Sequence, residues 1–315
     1  MSPKELTHYI KQEALRLGFD KVGIAPAARL DEEAAHLEQW LARGYHGSME
    51  WMAKKFEKRV DPTLILPDAK SVIAVALNYY TPVHHSDNEL AGKISRYAWG
   101  DDYHDIMSIR LEELLDSVKA MEPSAAGKAY VDTGPVMDKV WAQRAGIGWL
   151  GKHTNVITQE FGSWLFLGEI ILNLELEYDS PATDHCGECT LCIEACPTQA
   201  IAEPYVVDSN RCISYLTIEH RGEIAQELGE ELNRWIYGCD ICQDVCPWNQ
   251  KFSTPTSVGE FYPREHNRAP KLEEVAAMTS EEFRARYRKS PVKRTKHAGL
   301  TRNASVQMPV KHVSA

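Results

Sequence analysis

All 8 cysteines of the chain fall between Cys186 and Cys246, and no other feature restricts the fold so strongly. The first half of that stretch reads Cys186-Gly-Glu-Cys189-Thr-Leu-Cys192-Ile-Glu-Ala-Cys196-Pro197. The second half is Cys212, followed at a distance by Cys239-Asp-Ile-Cys242-Gln-Asp-Val-Cys246-Pro247. Two residues between cysteines let a tight turn reach three corners of an iron–sulfur cubane. The longer gap carries the next thiolate past that cluster, and proline ends the turn. This spacing assigns Cys186, Cys189, Cys192 and Cys246 to one 4Fe–4S cluster, and Cys196, Cys212, Cys239 and Cys242 to a second. Two such clusters in one small ferredoxin-like fold conduct single electrons. Disulfides fit poorly, because no secretory signal precedes the cysteines and cytosolic thiols stay reduced. Structural zinc suits the paired cysteines but not two endings of the Cys-x-x-x-Cys-Pro type, and is the weaker alternative.

At 315 residues there is room for two domains, and contents of 43% hydrophobic and 25% charged residues are those of a soluble globular protein. No apolar run approaches the roughly 20 residues of a membrane helix. Met1-Ser-Pro-Lys-Glu-Leu6 is neither a signal peptide nor a twin-arginine leader, so the expected compartment is the cytoplasm, with no membrane partner. The net charge of −10 excludes a general nucleic-acid coat. Yet Arg284, Arg286, Arg288, Lys289, Lys293, Arg294 and Lys296 follow one another without an acid among them. Such a run on an acidic body either directs a polyanion to one place or is a solvated helix face.

Hydrophobic periodicity predicts helices over residues 4–17, 31–43, 102–121 and 136–145. Strands are expected at 21–25, 72–77, 129–131 and 164–176, the last from alternation of Leu172, Leu174 and Leu176 with polar residues. The continuous run Val72-Ile-Ala-Val-Ala-Leu77 is that of a strand covered on both faces. An α+β layered domain is therefore expected over residues 1–178, a cluster domain over 179–254, and a linker with a basic helical tail over 255–315. Apart from the doubled cysteine pattern there is no internal repeat.

Gly146-Ile-Gly148-Trp-Leu-Gly151 matches the dinucleotide fingerprint in letters only, since that motif follows a strand and this one follows a helix. It reads either as a helix-ending loop or as a backbone surface for a large flat ligand. Asp132, in Val131-Asp-Thr-Gly-Pro135, reads either as a turn or helix cap or as a general acid whose pKa is raised by burial.

Several further stretches complete a pattern: Gly47-Ser-Met-Glu-Trp-Met52, Lys58-Arg-Val-Asp-Pro62, Ser95-Arg-Tyr-Ala-Trp-Gly-Asp-Asp-Tyr-His104, Arg144-Ala-Gly-Ile-Gly-Trp-Leu-Gly-Lys-His-Thr-Asn155 and Cys212-Ile-Ser-Tyr-Leu-Thr-Ile-Glu219. With Val131–Pro135 and the cysteines, they make the chain resemble the epoxyqueuosine reductases, cobalamin-dependent enzymes of tRNA modification, over residues 1 to about 303. The resemblance implies a nitroreductase-like cobalamin-binding domain, a two-cluster ferredoxin-like domain and a short helical C-terminal tail. It implies reduction of epoxyqueuosine at the tRNA wobble position to queuosine, a two-electron, two-proton removal of the epoxide oxygen as water. Asp132 matches the family's proton donor.

By position the resemblance places Arg59, Tyr97, Asp132, His153, Thr154, Ser214 and Asp240 at a cobalamin held with its own base off the cobalt. The Asp-x-His-x-x-Gly motif of histidine-ligated cobalamin is absent, Met107 standing where glycine would be needed after Asp102-Tyr-His104. Arg221, Arg284, Arg286, Arg288, Lys293 and Arg294 are the implied tRNA contacts. A flavodoxin or ferredoxin is the expected electron donor and a monomer the expected state. Gly299–Ala304 resembles the opening of the helical-repeat module with which many members continue, so the chain reads as a short form. The competing readings are a reductive dehalogenase, which also pairs cobalamin with two cubanes, and a ferredoxin-like carrier with an accessory domain.

Overall fold

The computed structural model describes residues 1–308. The chain begins with α1 (Pro3–Arg16), which Ser2 caps by accepting the Glu5 N–H while the Glu5 carboxylate accepts the Ser2 N–H in return. There follow β1 (Lys21–Pro26), α2 (Asp31–Ala42), the short α3 (Phe56–Val60), β2 (Ser71–Asn78) and β3 (Lys93–Ile94). Next come α4 (Tyr103–Met121), β4 (Gly127–Tyr130), α5 (Asp138–Arg144), the β5 (Trp149–Leu150) and β6 (Val156–Ile157) hairpin, and β7 (Leu165–Leu172). The main sheet has the order β1-β2-β7-β4, with every pairing antiparallel.

All of β2 is buried, as its unbroken apolar run requires. On one face Ile73, Val75 and Leu77 meet Leu6, Ile10 and Ala14 of α1 and Met107, Leu111, Leu114, Leu115 and Val118 of α4. On the other face Val72, Ala74 and Ala76 meet Ala34 of α2 and Trp141, Ala142 and Ala145 in and beyond α5. Each fully buried aliphatic side chain contributes roughly 1.5–3 kcal/mol, so a sheet sandwiched in this way is a stiff floor for whatever its edges carry. The expected strand over 164–176 is shorter than its pattern. The sheet partners of β7 end at Leu172, and the Leu174 and Leu176 side chains fill the α1–α4 core from irregular backbone instead.

The cluster segment is mostly short turns: α6 (Leu191–Glu194), the β8 (Ile201–Glu203) and β9 (Val206–Val207) hairpin, α7 (Ile213–Ile218), α8 (Gln226–Glu230), β10 (Trp235–Tyr237), α9 (Ile241–Asp244) and α10 (Pro247–Phe252). Beyond it lie α11 (Glu265–Arg268), α12 (Leu272–Ala276), α13 (Ser280–Arg286) and α14 (Lys296–Val306). The stretch expected as a linker is packed down: Val258 and Phe261 are buried in the core of the first domain. Nor is the expected tail a separate appendage. Leu272, Val275, Phe283, Tyr287, Val292 and Leu300 share one core with Ile94, Trp99, Ile236 and Tyr237, and β10 pairs with β3. Residues 309–315 of the expected tail lie outside the described residues.

Candidate active site and cluster region

Asp132 stands just past the end of β4, with φ of 52° in the left-handed region that side chains other than glycine adopt at a cost. The expectation of burial fails. Its side chain is 64% exposed, on an open rim rather than in a pocket. The cap alternative fails as well, because Met137 is the N-cap of α5 and no side chain caps it. Instead Tyr103 donates its hydroxyl to Asp132 Oδ2 at 2.9 Å, His104 Nε2 lies 4.0 Å from the same oxygen, and Asp138 Oδ1 accepts the Asp132 N–H at 3.2 Å. His104 is itself held by Asp102, 2.7 Å from its Nδ1. Burial works against it, but hydrogen bonds from His104 and Lys293 hold the Asp102 carboxyl down at about 2.

Two carboxyls with raised pKa feel the charge of Asp132. Burial, then the nearby charge of Asp132, push Asp138 up to about 6. Burial and Asp138 push Glu169, which has no exposed surface, well above the carboxylate range. Lys139 follows Asp138 and donates to Asn155 Oδ1 at 3.1 Å. Desolvation lowers its pKa against the opposing charges of Asp132, Cys242, Asp138 and Cys212, although its side chain keeps an exposed surface. The recess beside Lys139 thus neighbours both the Asp132 loop and the cysteine thiols. Lys139, Asp138, Glu169, Tyr103 and His104 were missed in the sequence. For all but Glu169, which gave none, the only signal was adjacency to Asp132 or to the Ser95–His104 stretch.

The thiols lie close enough for their charges to reach one another. Cys192, pushed up to about 11 by burial, also feels Cys186, Cys246 and Cys189. Cys239 is raised by burial and by Cys242 and Cys212, and Cys212 by burial and by Cys196. Cys242 feels its own group and, across the divide, Cys192, so the two quartets adjoin. Among the described residues no three His, Cys, Asp or Glu side chains close on a single ion. A cubane, which takes each thiolate at a separate corner, makes no such demand.

Of the residues expected at cobalamin, Arg59, Tyr97 and His153 come together at this recess, where Arg59 and Tyr97 feel Asp132 and His153 feels Lys139. Arg59 is 7% exposed and His153 4%. Arg59 Nε and His153 Nε2 are nevertheless buried without a partner. The Asn155 N–H donates to His153 Nδ1 at 3.1 Å, which leaves Nε2 as the protonated nitrogen. Burial and Lys139 lower that histidine to about 4, so it is a neutral donor. Two buried donors left without a partner fit a large polar-edged cofactor. Thr154, φ 66°, turns the β5–β6 hairpin beside them, and Ser214 is half-buried on the first turn of α7.

Asp240 does not fit. It has no exposed surface, and its carboxylate is engaged by the Ser95 hydroxyl, by the Arg96 N–H at 3.0 Å and by the Arg96 guanidinium at 3.0 Å. Its side chain is an internal hub and cannot reach a ligand. The glycine loop after α5 is a helix ending: Gly146, φ 73°, donates to Gln143 O and Ile147 to Ala142 O, the Schellman pattern.

The basic residues divide. Arg221 gives its guanidinium to the carbonyls of Ile218, Thr295 and Arg294, clamping α7 to the C-terminal segment. Arg284 pairs with Glu281 one turn away, and Arg286 is half-buried. Arg288 is exposed, its carbonyl held by Arg264. Lys293 and Arg294 are more than half exposed, paired with Asp102 and Glu219, and Arg294 feels the charge of Asp132. These two therefore stand on the rim of the recess.

Residues 185–249 match the family model described as 4Fe-4S double cluster binding domain, and residues 59–133 match that described as Epoxyqueuosine reductase QueG, DUF1730. An epoxyqueuosine reductase of Synechocystis sp. (strain ATCC 27184 / PCC 6803 / Kazusa) is 50% identical over 290 residues, covering 91% of this chain and 100% of that protein. The chain belongs to the epoxyqueuosine reductase family. Membership brings two 4Fe–4S clusters, and cobalamin is consistent with the family. The crystal structure of an epoxyqueuosine reductase with a tRNA-Tyr epoxyqueuosine-modified stem loop aligns at a TM-score of 0.89. It is 34% identical, and the alignment covers 96% of this chain and 80% of that one. A Bacillus subtilis member, with its catalytic aspartate loop swung out of the active site, aligns at 0.89 with 33% identity, covering 96% and 81%.

Proposed function

We propose that this chain reduces epoxyqueuosine in the anticodon of tRNA to queuosine, with Asp132 as proton donor, the cysteine quartets as cluster ligands and the recess as the cobalamin site. The observation that carries the reading is the Asp132 carboxylate, left open to solvent with Tyr103 donating to its Oδ2 at 2.9 Å, in a loop whose charge reaches Lys139 as do those of the Cys242 and Cys212 thiols. When bound, the clusters supply single electrons and cobalamin a strongly reducing cobalt centre beside the substrate. Arg59 Nε and His153 Nε2 would hold the cofactor's polar edge, with Thr154, Ser214 and Tyr97 around it. Tyr103 occupies Asp132 Oδ2, which leaves Oδ1 to carry a proton to the epoxide oxygen. The exposure of Asp132 suits a donor that must meet a base flipped out from a macromolecule. Lys293 and Arg294 on the rim would take anticodon phosphates, with Arg284, Arg286 and Arg288 farther out.

Among the described residues no helix is long and apolar enough to cross a membrane. The reading carries with it a cytoplasmic monomer, nitroreductase-like in its first domain, that draws electrons from a flavodoxin or ferredoxin. The test is anaerobic loading with iron, sulfide and cobalamin, followed by turnover of epoxyqueuosine-containing tRNA and mass analysis of the nucleosides. Loss of one oxygen from the modified base is expected. Failure to take up a corrinoid, or an unchanged nucleoside, would overturn the reading.

A further inference from the structure

Glu169 is hard to explain as a structural residue. It sits in the middle of β7, paired with Ala74 of β2 and Tyr130 of β4, without exposed surface and with neither carboxyl oxygen accepting from a donor among the described groups. It shares a strand face with Ile171 and so points towards α5, where Asp138 opens the helix. The charges that reach Glu169 are those of Asp138 and Asp132, both negative. Asp138 in turn faces Asp132 from the loop, Arg59 from α3, Lys139 from its own helix and Tyr103 from α4. The cations therefore favour negative charge on Asp138, and the lack of any cation at Glu169 favours the neutral acid there. Two carboxyls facing each other out of water share a proton, as one pair rather than as two independent acids.

We propose that Glu169 and Asp138 hold one proton between them beneath the catalytic loop and pass it to Asp132, supplying the second proton of the reduction. This rests on the function proposed above. The reaction takes two electrons, delivered through the clusters, and two protons, whereas the Asp132 carboxyl holds one. In the first transfer the O–H bond of Asp132 breaks as the substrate oxygen gains its proton, leaving Asp132 a carboxylate. The ionised Asp138 carboxylate, whose Oδ1 already accepts the Asp132 N–H, then takes the proton from Glu169 and passes it on to Asp132. Asp132 delivers this second proton to the leaving oxygen, completing water. Glu169 is left ionised and is reprotonated from solvent between turnovers.

The test has two independent readouts. Infrared spectra of the cluster-loaded protein without cobalamin should show, near neutral pH, a protonated-carboxyl band that shifts in heavy water and disappears in Glu169→Gln. In Asp138→Asn the band should move, because its hydrogen-bond partner has changed. No such band in the unaltered protein, or a band that ignores both substitutions, overturns the proposal. Single-turnover rates of Glu169→Gln should match the unaltered enzyme at mildly acidic pH and fall about tenfold at mildly alkaline pH, less than the roughly 10²–10⁴-fold of a direct donor. Superimposable pH profiles would overturn it too. If the unaltered protein shows the band but reduces no epoxyqueuosine, the functional reading fails while the shared proton stands.

Discussion

The two cysteine quartets have nearly the same local sequence and end in different surroundings. In the first, Cys189 is exposed and Cys186 half-buried, and the turn between them is tied by Lys152 Nζ to the carbonyls of Gly187 and Cys189 at 2.6 and 3.0 Å. Trp149 packs against this quartet, with His185 and Trp248 each 4.9 Å from its ring. In the second, Cys212 opens α7 and Cys239 follows Gly238, whose φ of 68° only glycine adopts without strain. These thiols adjoin Lys139 and the catalytic recess. The first quartet thus has one exposed thiol, where a donor can approach, beside the buried Cys192 and Cys246, whereas all four thiols of the second are half-buried. The motif repeats, and the segments between the cysteines give each copy its own surroundings.

The sharpest way to break this comparison is to damage each quartet in turn. Cys242→Ser should reduce turnover to background with any reductant, because nothing bypasses the inner cluster. Cys189→Ser should abolish turnover with a protein donor but retain part of it with a small diffusible reductant. Equal loss under both conditions would remove the polarity. Next in size is Asp132→Asn, which should lower turnover by roughly 10²–10⁴-fold while leaving the clusters' visible absorbance unchanged. Turnover near the unaltered rate would take Asp132 out of the proton path.

How much of this was legible in the sequence depended on the range of each signal. The quartets could be read because cubane ligation is written in short spacings, and the buried β2 because its apolar run is unbroken. The exposure of Asp132 could not be read, since a loop's height above a sheet depends on what α4 and the C-terminal segment place around it. Asp240 was misread for the same reason. Next to Cys239 it looks like a site residue, but the partners that bury it, Ser95 and Arg96, come from a part of the chain far removed in sequence. Glu169 gave no sign at all, because one acid in an apolar strand acquires meaning only when Asp138 is folded over it.

Asp240 gives the third test, now of stability. It joins the inner quartet to the first domain through Arg96, which also reaches Asp244 at 2.7 Å. Removing one member of a buried pair typically costs about 3–5 kcal/mol, so Asp240→Ala should lower the unfolding free energy read from denaturant titration by that amount. The outer counterpart, Asp184→Ala, loses a contact to the exposed Cys186 N–H and should cost far less. Comparable losses would contradict the contrast between a buried inner half and a wet outer one.

The fourth test concerns pH. Glu169 binds its proton more tightly folded than unfolded. Its contribution to stability is therefore complete below the unfolded value of about 4.3 and is lost as pH rises towards the folded value. Within that window each pH unit should cost about 1.4 kcal/mol, and Glu169→Gln should remove the slope. Denaturant titrations at several pH values read it directly, and parallel curves for the two proteins would contradict the raised carboxyl.

The smallest effect belongs to the rim of the inner recess. Lys293 and Arg294 are paired with Asp102 and Glu219, and phosphates would have to compete for them. At about 0.7 per contact on a single strand, replacing both with alanine should lower the log–log salt dependence of tRNA binding by about 1.4. Arg221→Ala is the control. Its guanidinium is bound to three carbonyls, so its loss should loosen α7 from the C-terminal segment and lower stability while leaving the salt slope nearly unchanged. If Arg221 moves the slope and the rim pair does not, the anticodon lies against α7 instead, and the inner quartet faces a different surface from the one that Asp132 guards.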